Sequence, residues 1–212
     1  MRTERWQPSD FVAKKQPKQA RSRASVAAMV GACARILEER GYAGLSTNAI
    51  AEVAGVSIGS LYEYFPGKEA IVARLAEELL AETTAMLHQR LALTDNRNDL
   101  PVAMRHFLGA LYSLMHKHRR LLRVLVFQVP YMQQLPATRQ LQQELQQVLQ
   151  TGLQKTRQHY QQTVAPTTLY LMATSTAGTL LHLVLMAPAR MEHGPVLDAL
   201  AQRLATWVLD SE

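Results

Sequence analysis

LSTNAIAEVAGVSIGSLYEYFPGK, residues 45–68, decides how this chain folds. Two short helical patterns meet at Gly55 and are followed by Tyr62, Tyr64 and Lys68. Ser46 is placed to cap the first helix, because its hydroxyl can accept one of the backbone N–H groups that a helix start leaves unpaired. Gly55 ends that helix, since glycine takes the left-handed conformation of a tight exit without a Cβ clash. The second helix opens at Ser57. Ile50, Val53, Val56, Leu61 and Phe65 recur at helical spacing as a small apolar core, which leaves Ser57, Ile58, Gly59, Ser60, Tyr62 and Tyr64 to face elsewhere. The pattern predicts a helix-turn-helix whose second helix enters a major groove by its N-terminal residues.

The run Leu-Tyr-x-Tyr-Phe-x-x-Lys-Glu, here Leu61 to Glu69, resembles the TetR family of bacterial transcriptional regulators. The resemblance extends over residues 17 to 75, where Pro17, Gln19 and Arg21 match a basic Pro-x-Gln-x-Arg arm ahead of the first helix. It implies an all-α protein with an N-terminal three-helix helix-turn-helix domain and a larger C-terminal helical domain for ligand binding and dimerisation. The expected boundaries are a disordered basic arm at 1–16, the DNA-binding domain at 17–67 and the effector and dimerisation domain at 68–212. The resemblance also implies a four-helix bundle built from the last two helices of each subunit.

Composition bounds the answer independently. With 212 residues, 48% of them hydrophobic and 19% charged, the chain can bury a substantial core. The net charge is +6, and its placement matters more than its size. Residues 1–25 hold seven Lys or Arg against two acids, and no acid lies between Asp10 and Glu38. Lys14, Lys15, Lys18, Arg21 and Arg23 sit in a stretch without apolar periodicity, so the leader reads as an unfolded arm lying along DNA phosphates or in a minor groove. It has no continuous apolar run of signal-peptide length, and a cytoplasmic location is expected. The single Cys33 agrees, and lies on the apolar side of a helix with Val26, Met29, Val30, Ile36 and Leu37, as a small buried hydrophobe.

Beyond Lys68, Ala, Leu, Glu, Gln and Arg dominate and strand-like alternation is absent. Helices are expected at 68–93, 100–117, 119–128, 137–162, 166–188 and 195–210, broken by Asp95-Asn96-Arg97-Asn98 and by Pro101, Pro130, Pro136, Pro166, Pro188 and Gly194-Pro195. The ten Gln between Gln140 and Gln162 accompany Leu141, Leu145, Val148, Leu149 and Leu153 at helical spacing, which favours an amphipathic helix over a low-complexity tract. From Gln158 to Ala189 there is no Asp, Glu, Lys or Arg. Thr174, Ser175, Thr176, Thr179 and His182 in the middle of that stretch favour a helix buried between a core and a second subunit over a membrane span.

The candidate DNA contacts follow from side-chain chemistry. Arg21 and Arg23 belong to the arm; Thr47, Tyr62, Tyr64 and Lys68 can reach phosphates; Ser57, Ile58, Gly59 and Ser60 face base edges. No Arg, Asn or Gln occupies those four base-facing positions, so direct readout is modest. Gly59 lowers helix propensity by about 1 kcal/mol relative to Ala, which points to a close backbone approach. The candidate ligand lining is Met86, Met104, Phe107, Leu111, Met115, Phe127, Tyr131, Met172 and Thr176, apolar or weakly polar as small-molecule cavities are.

An enzyme has no visible constellation here. The seven His are scattered without metal-ligand spacing, and there is no phosphate loop, H-E-x-x-H or G-x-S-x-G. No catalytic residue, metal or cofactor is therefore expected. The reading is a ligand-responsive repressor that binds a palindromic double-stranded operator as a homodimer and is released by a small apolar or aromatic effector, with no membrane involved. A constitutive or architectural DNA-binding dimer without an effector is the alternative. It leaves nearly 140 C-terminal residues with more helix than dimerisation needs.

Overall fold

The computed structural model describes residues 6–93, 100–160, 164–188 and 191–209, and among these the helix-forming sequence between Pro and Gly breaks becomes nine α-helices. These are α1 (Ala20–Arg40), α2 (Thr47–Ala54), α3 (Ile58–Tyr64), α4 (Lys68–Leu93), α5 (Leu100–Lys117), α6 (Arg119–Gln128), α7 (Pro136–Tyr160), α8 (Pro166–Leu185) and α9 (His193–Leu209). No strand occurs among the described residues. Pro136 and Pro166 stand at first helical positions, where the missing N–H costs nothing. The all-α expectation holds, with helix ends close to those read from the punctuation. The expected break at Asp95-Asn96-Arg97-Asn98 lies outside the described residues.

Packing divides the chain into two compact units. The first joins the described residues up to Ala81 with Arg120–Arg139, and the second joins Glu82–Arg119 with those from Gln140 onward. This division differs from the 67/68 boundary that the motif suggests. The first half of α4 and nearly all of α6 pack in the unit that contains the helix-turn-helix.

In the first unit, α1 buries Val26, Met29, Val30, Cys33, Ile36 and Leu37, the face anticipated from spacing. Burial pushes the Cys33 thiol up to about 12, so it stays protonated and inert at neutral pH. Gly41 ends α1 with φ +68° and ψ −176°, a conformation almost confined to glycine. The Gln128 side chain, at the end of α6, accepts the Tyr42 N–H beside it at 3.0 Å.

The leader is seated in this unit. Pro8–Phe11 form a 3-10 turn and Phe11 is buried. Tyr131, fully buried after α6, gathers Trp6, Phe11 and Tyr42 around its ring at centroid distances of 5.1, 5.3 and 5.9 Å. Where composition suggested an unfolded arm, two aromatic residues of the leader supply the burial that its charged residues lack.

The second unit is a helical bundle in which α5 packs on α8 and α9. Leu87, Leu108, Met172, Leu180 and Leu204 lie at its centre, each at most 1% exposed. Arg105 on α5 pairs with Asp198 on α9, and Lys117 donates to Glu82 at 2.7 Å. That ammonium, helped by His118, holds the Glu82 carboxyl below its ordinary range. By length and composition α8 could cross a membrane. In the fold it buries Leu169, Met172, Ala173, Thr176, Leu180 and Leu185.

Candidate nucleic-acid interface

Local capping sets the helix-turn-helix. Ser46 accepts the Ala49 N–H at 3.1 Å at the start of α2, and Gly55 closes α2 in the left-handed conformation, φ +67° and ψ +33°. Ser57 repeats the cap on α3, accepting the Ser60 N–H at 3.1 Å. Ile50, Leu61 and Phe65 are buried, whereas Val53 and Val56 are only half-buried. Arg35 on α1 donates to the Val53 carbonyl at 3.0 Å and ties α2 to the first helix.

The proposed base-facing residues share one exposed turn. Ser57, Ile58 and Gly59 are exposed and Ser60 is partly so, with the two serine hydroxyls 2.8 Å apart. An ideal Cβ at Gly59 would meet nothing nearer than the Ser57 hydroxyl at 3.8 Å, so open space surrounds that backbone. Thr47 and Tyr62 are joined directly: their hydroxyls lie 3.1 Å apart, linking the first turn of α2 to the outer face of α3. One of the two protons remains for an outside acceptor, so the pair can present a donor to phosphate.

Three other candidates are held by the protein. Tyr64 is 8% exposed, with the Lys15 ammonium 4.9 Å from its ring centroid. Lys68 donates to the Leu45 carbonyl at 3.1 Å and lies 4.4 Å from the Tyr42 ring centroid, so its charge also secures the entry to α2. An ammonium has three donors, and the carbonyl uses one. Arg23 donates to the Lys18 carbonyl at 3.3 Å, and Arg21 beside it is exposed.

Lys14 and Lys15, read from sequence only as arm charge, meet the end of α3. The Lys14 N–H donates to the Tyr64 carbonyl at 2.7 Å, its ammonium donates to the Tyr62 carbonyl at 3.0 Å, and Lys15 pairs with Glu63. The Glu63 carboxylate raises the Lys15 ammonium above its ordinary value, chiefly through their hydrogen bond. Cations beside the last carbonyls of a helix also answer its dipole. No local signal announces these contacts, two of which span 48 residues of sequence.

The candidate ligand lining separates into two sets. Met104, Leu111, Met172 and Thr176 are buried in the second unit, with Met86, Phe107 and Met115 partly buried against the same core. Thr176 is 3% exposed and its hydroxyl has no hydrogen-bond partner among the described residues. Phe127 and Tyr131 belong to the first unit: Phe127 is 55% exposed, and Tyr131 is the buried ring that holds the leader. No cluster of His, Cys, Asp and Glu suited to a metal occurs among the described residues.

Residues 30–75 match the family described as bacterial regulatory proteins of the tetR family. No curated protein matches the chain at a significant level. Among solved structures, the chain superimposes on the fatty acid degradation regulator FadR from Bacillus halodurans with a TM-score of 0.64 at 16% identity, covering 90% of this chain and 96% of that one. A TetR family transcription regulator from Marinobacter aquaeolei gives 0.60 at 18% identity, over 87% and 96% of the two chains. A transcriptional regulator of the TetR/AcrR family from Thermobifida fusca gives 0.57 at 13% identity, over 84% and 95%. Identities this low speak to fold.

Proposed function

We infer that this chain, which carries the TetR-family helix-turn-helix and the fold of that family's transcriptional regulators, represses transcription by binding a palindromic operator as a homodimer and is released by a small apolar effector. One observation carries the DNA half of this reading. The first turn of α3 exposes Ser57, Ile58 and Gly59 while Ile50, Leu61 and Phe65 behind it are buried, so a helix seated on the core offers backbone and small side chains to a groove. Thr47, Tyr62, Lys68, Arg21 and Arg23 would supply the sequence-independent anchoring.

Dimerisation is supported by α8, where Tyr170 and Leu171 are each 51% exposed on a helix without a single formal charge. A two-fold dimer spaces two recognition helices about 34 Å apart, one turn of DNA. The effector half rests on the methionine-containing core of the second unit and on Thr176, whose buried hydroxyl has no partner among the described residues. A DNA-binding repressor of this kind works in the cytoplasm.

Selection of duplexes from a randomised pool, followed by sedimentation of the free and DNA-loaded protein, tests the reading. A palindromic consensus bound by a dimer is expected, and affinity should fall with salt by about 0.9 in log–log slope per neutralised phosphate. A monomer that enriches no sequence would sink the proposal.

A further inference from the structure

The leader does more than carry charge. Lys14 and Lys15 grip three consecutive residues at the end of α3: the carbonyls of Tyr62 and Tyr64 accept from Lys14, and the Glu63 carboxylate pairs with Lys15. Those two lysines are themselves held in place by what precedes them. Phe11 is buried, and with Trp6 it packs on Tyr131, so the leader spans from the turn after α6 to the exit of the recognition helix. Glu63 is also the single acid in α3, next in sequence to Tyr62, and on the DNA-binding reading its charge sits on the helix that approaches the phosphates and would repel them. The ion pair with Lys15 cancels that charge.

We propose that Trp6–Lys15 is a positioning strap that fixes the exit of the recognition helix and neutralises its acid, so that discrimination between DNA sequences depends on residues that touch no base. This rests on the DNA-binding reading above. Two physical points favour it over a leader that acts by charge alone. A seven-residue helix has too few internal hydrogen bonds to be stable by itself, so its orientation is set by what packs on it. The seat is also incompletely filled: a cleft of about 120 Å3 remains between Phe11, Lys15 and Pro17 on one side and Tyr64, Ala70 and Arg74 on the other. The strap is thus held by discrete anchors, Trp6 and Phe11 on Tyr131 and the two lysines on the end of α3.

The charge-neutral variants Trp6→Ala and Phe11→Ala separate the two roles. The full-length protein is measured over a range of salt against a duplex that the intact chain has selected from a random pool, and against a scrambled duplex of the same composition. Loss of the strap should lower the ratio of selected to scrambled affinity about tenfold, the size of one mismatched base pair, with the salt slope unchanged. Lys15→Gln, an exposed change that the fold tolerates, should weaken both duplexes, and adding Glu63→Gln should restore them. An unchanged ratio in the aromatic variants, or no recovery in the double variant, overturns the strap. If the intact chain selects no duplex at all, it is the DNA-binding reading that fails.

Discussion

Gly59 is the residue at which fold and proposed function pull in opposite directions. It lies in the first turn of α3 with a negative φ, and a Cβ there would sit 3.8 Å from the nearest atom outside its own helical backbone. Nothing in the fold requires glycine at this point. Alanine should stabilise the helix by up to about 1 kcal/mol. Yet a methyl group on the groove-facing turn would stand between backbone and bases. Gly59→Ala is therefore expected to raise the denaturation midpoint while weakening the selected duplex more than a scrambled one, and Gly59→Leu should widen that gap. Equal loss on both duplexes would remove Gly59 from the base-facing set. The small, capped residues around it were legible because their signals are local: Ser46, Gly55 and Ser57 act on backbone three or four positions away. Tyr64 and Lys68 were less so. Their surroundings include Lys15, Leu45 and Tyr42, and no spacing rule places residues that far apart in contact.

At the scale of elements, two glycines end two helices in different ways. Gly55 takes an ordinary left-handed cap with nothing within 4 Å of its added Cβ, so only the backbone opposes a side chain. Gly55→Ala should cost about 1–2 kcal/mol, and Gly55→Asn less, because asparagine tolerates this conformation. Gly41 has φ +68° with an extended ψ, and its Cβ would stand 2.5 Å from the Gln128 side-chain oxygen. Gly41→Ala should then cost more than Gly55→Ala, with no relief from asparagine and with loss of the Gln128 bond to Tyr42. Urea unfolding of the four variants checks the order, and a Gly41→Asn protein as stable as Gly55→Asn would contradict it. The helix limits themselves were readable from Pro and Gly because breakers act where they stand. The seat of the leader was not, since its order comes from Phe11 and Trp6 finding Tyr131 more than a hundred residues away.

For the whole molecule, the proposed effector response is constrained by linkage whatever the structural route. A ligand shifts DNA affinity only as far as it binds the DNA-competent and DNA-incompetent states differently. By reciprocity, DNA must weaken ligand binding by the same factor, and coupling of about 1–3 kcal/mol corresponds to 5- to 150-fold. Nine candidates for the lining could be named from residue type, but type alone does not separate a cavity wall from a core. Seven of them share the core of the second unit, while Phe127 and Tyr131 lie in the first. Thr176 is the most informative of the seven. Its buried hydroxyl lacks a partner among the described residues, so Thr176→Val should leave the fold intact or strengthen it by about 1 kcal/mol. A charge at Met172, which is fully buried, would instead disrupt the core before it reported on any ligand. We expect apolar and aromatic acids of graded size, used as probes with their hydrocarbon counterparts, to yield at least one compound that raises the melting temperature of the free protein. Calorimetric titration of that compound, with and without the selected duplex, should show weaker binding to the DNA complex. In the Thr176→Val protein, ligands carrying a hydroxyl or carboxyl group should lose affinity more than their hydrocarbon counterparts, because only they offer the threonine a partner. Equal affinity for free and DNA-bound protein would reduce the chain to a DNA-binding dimer whose second unit serves association alone.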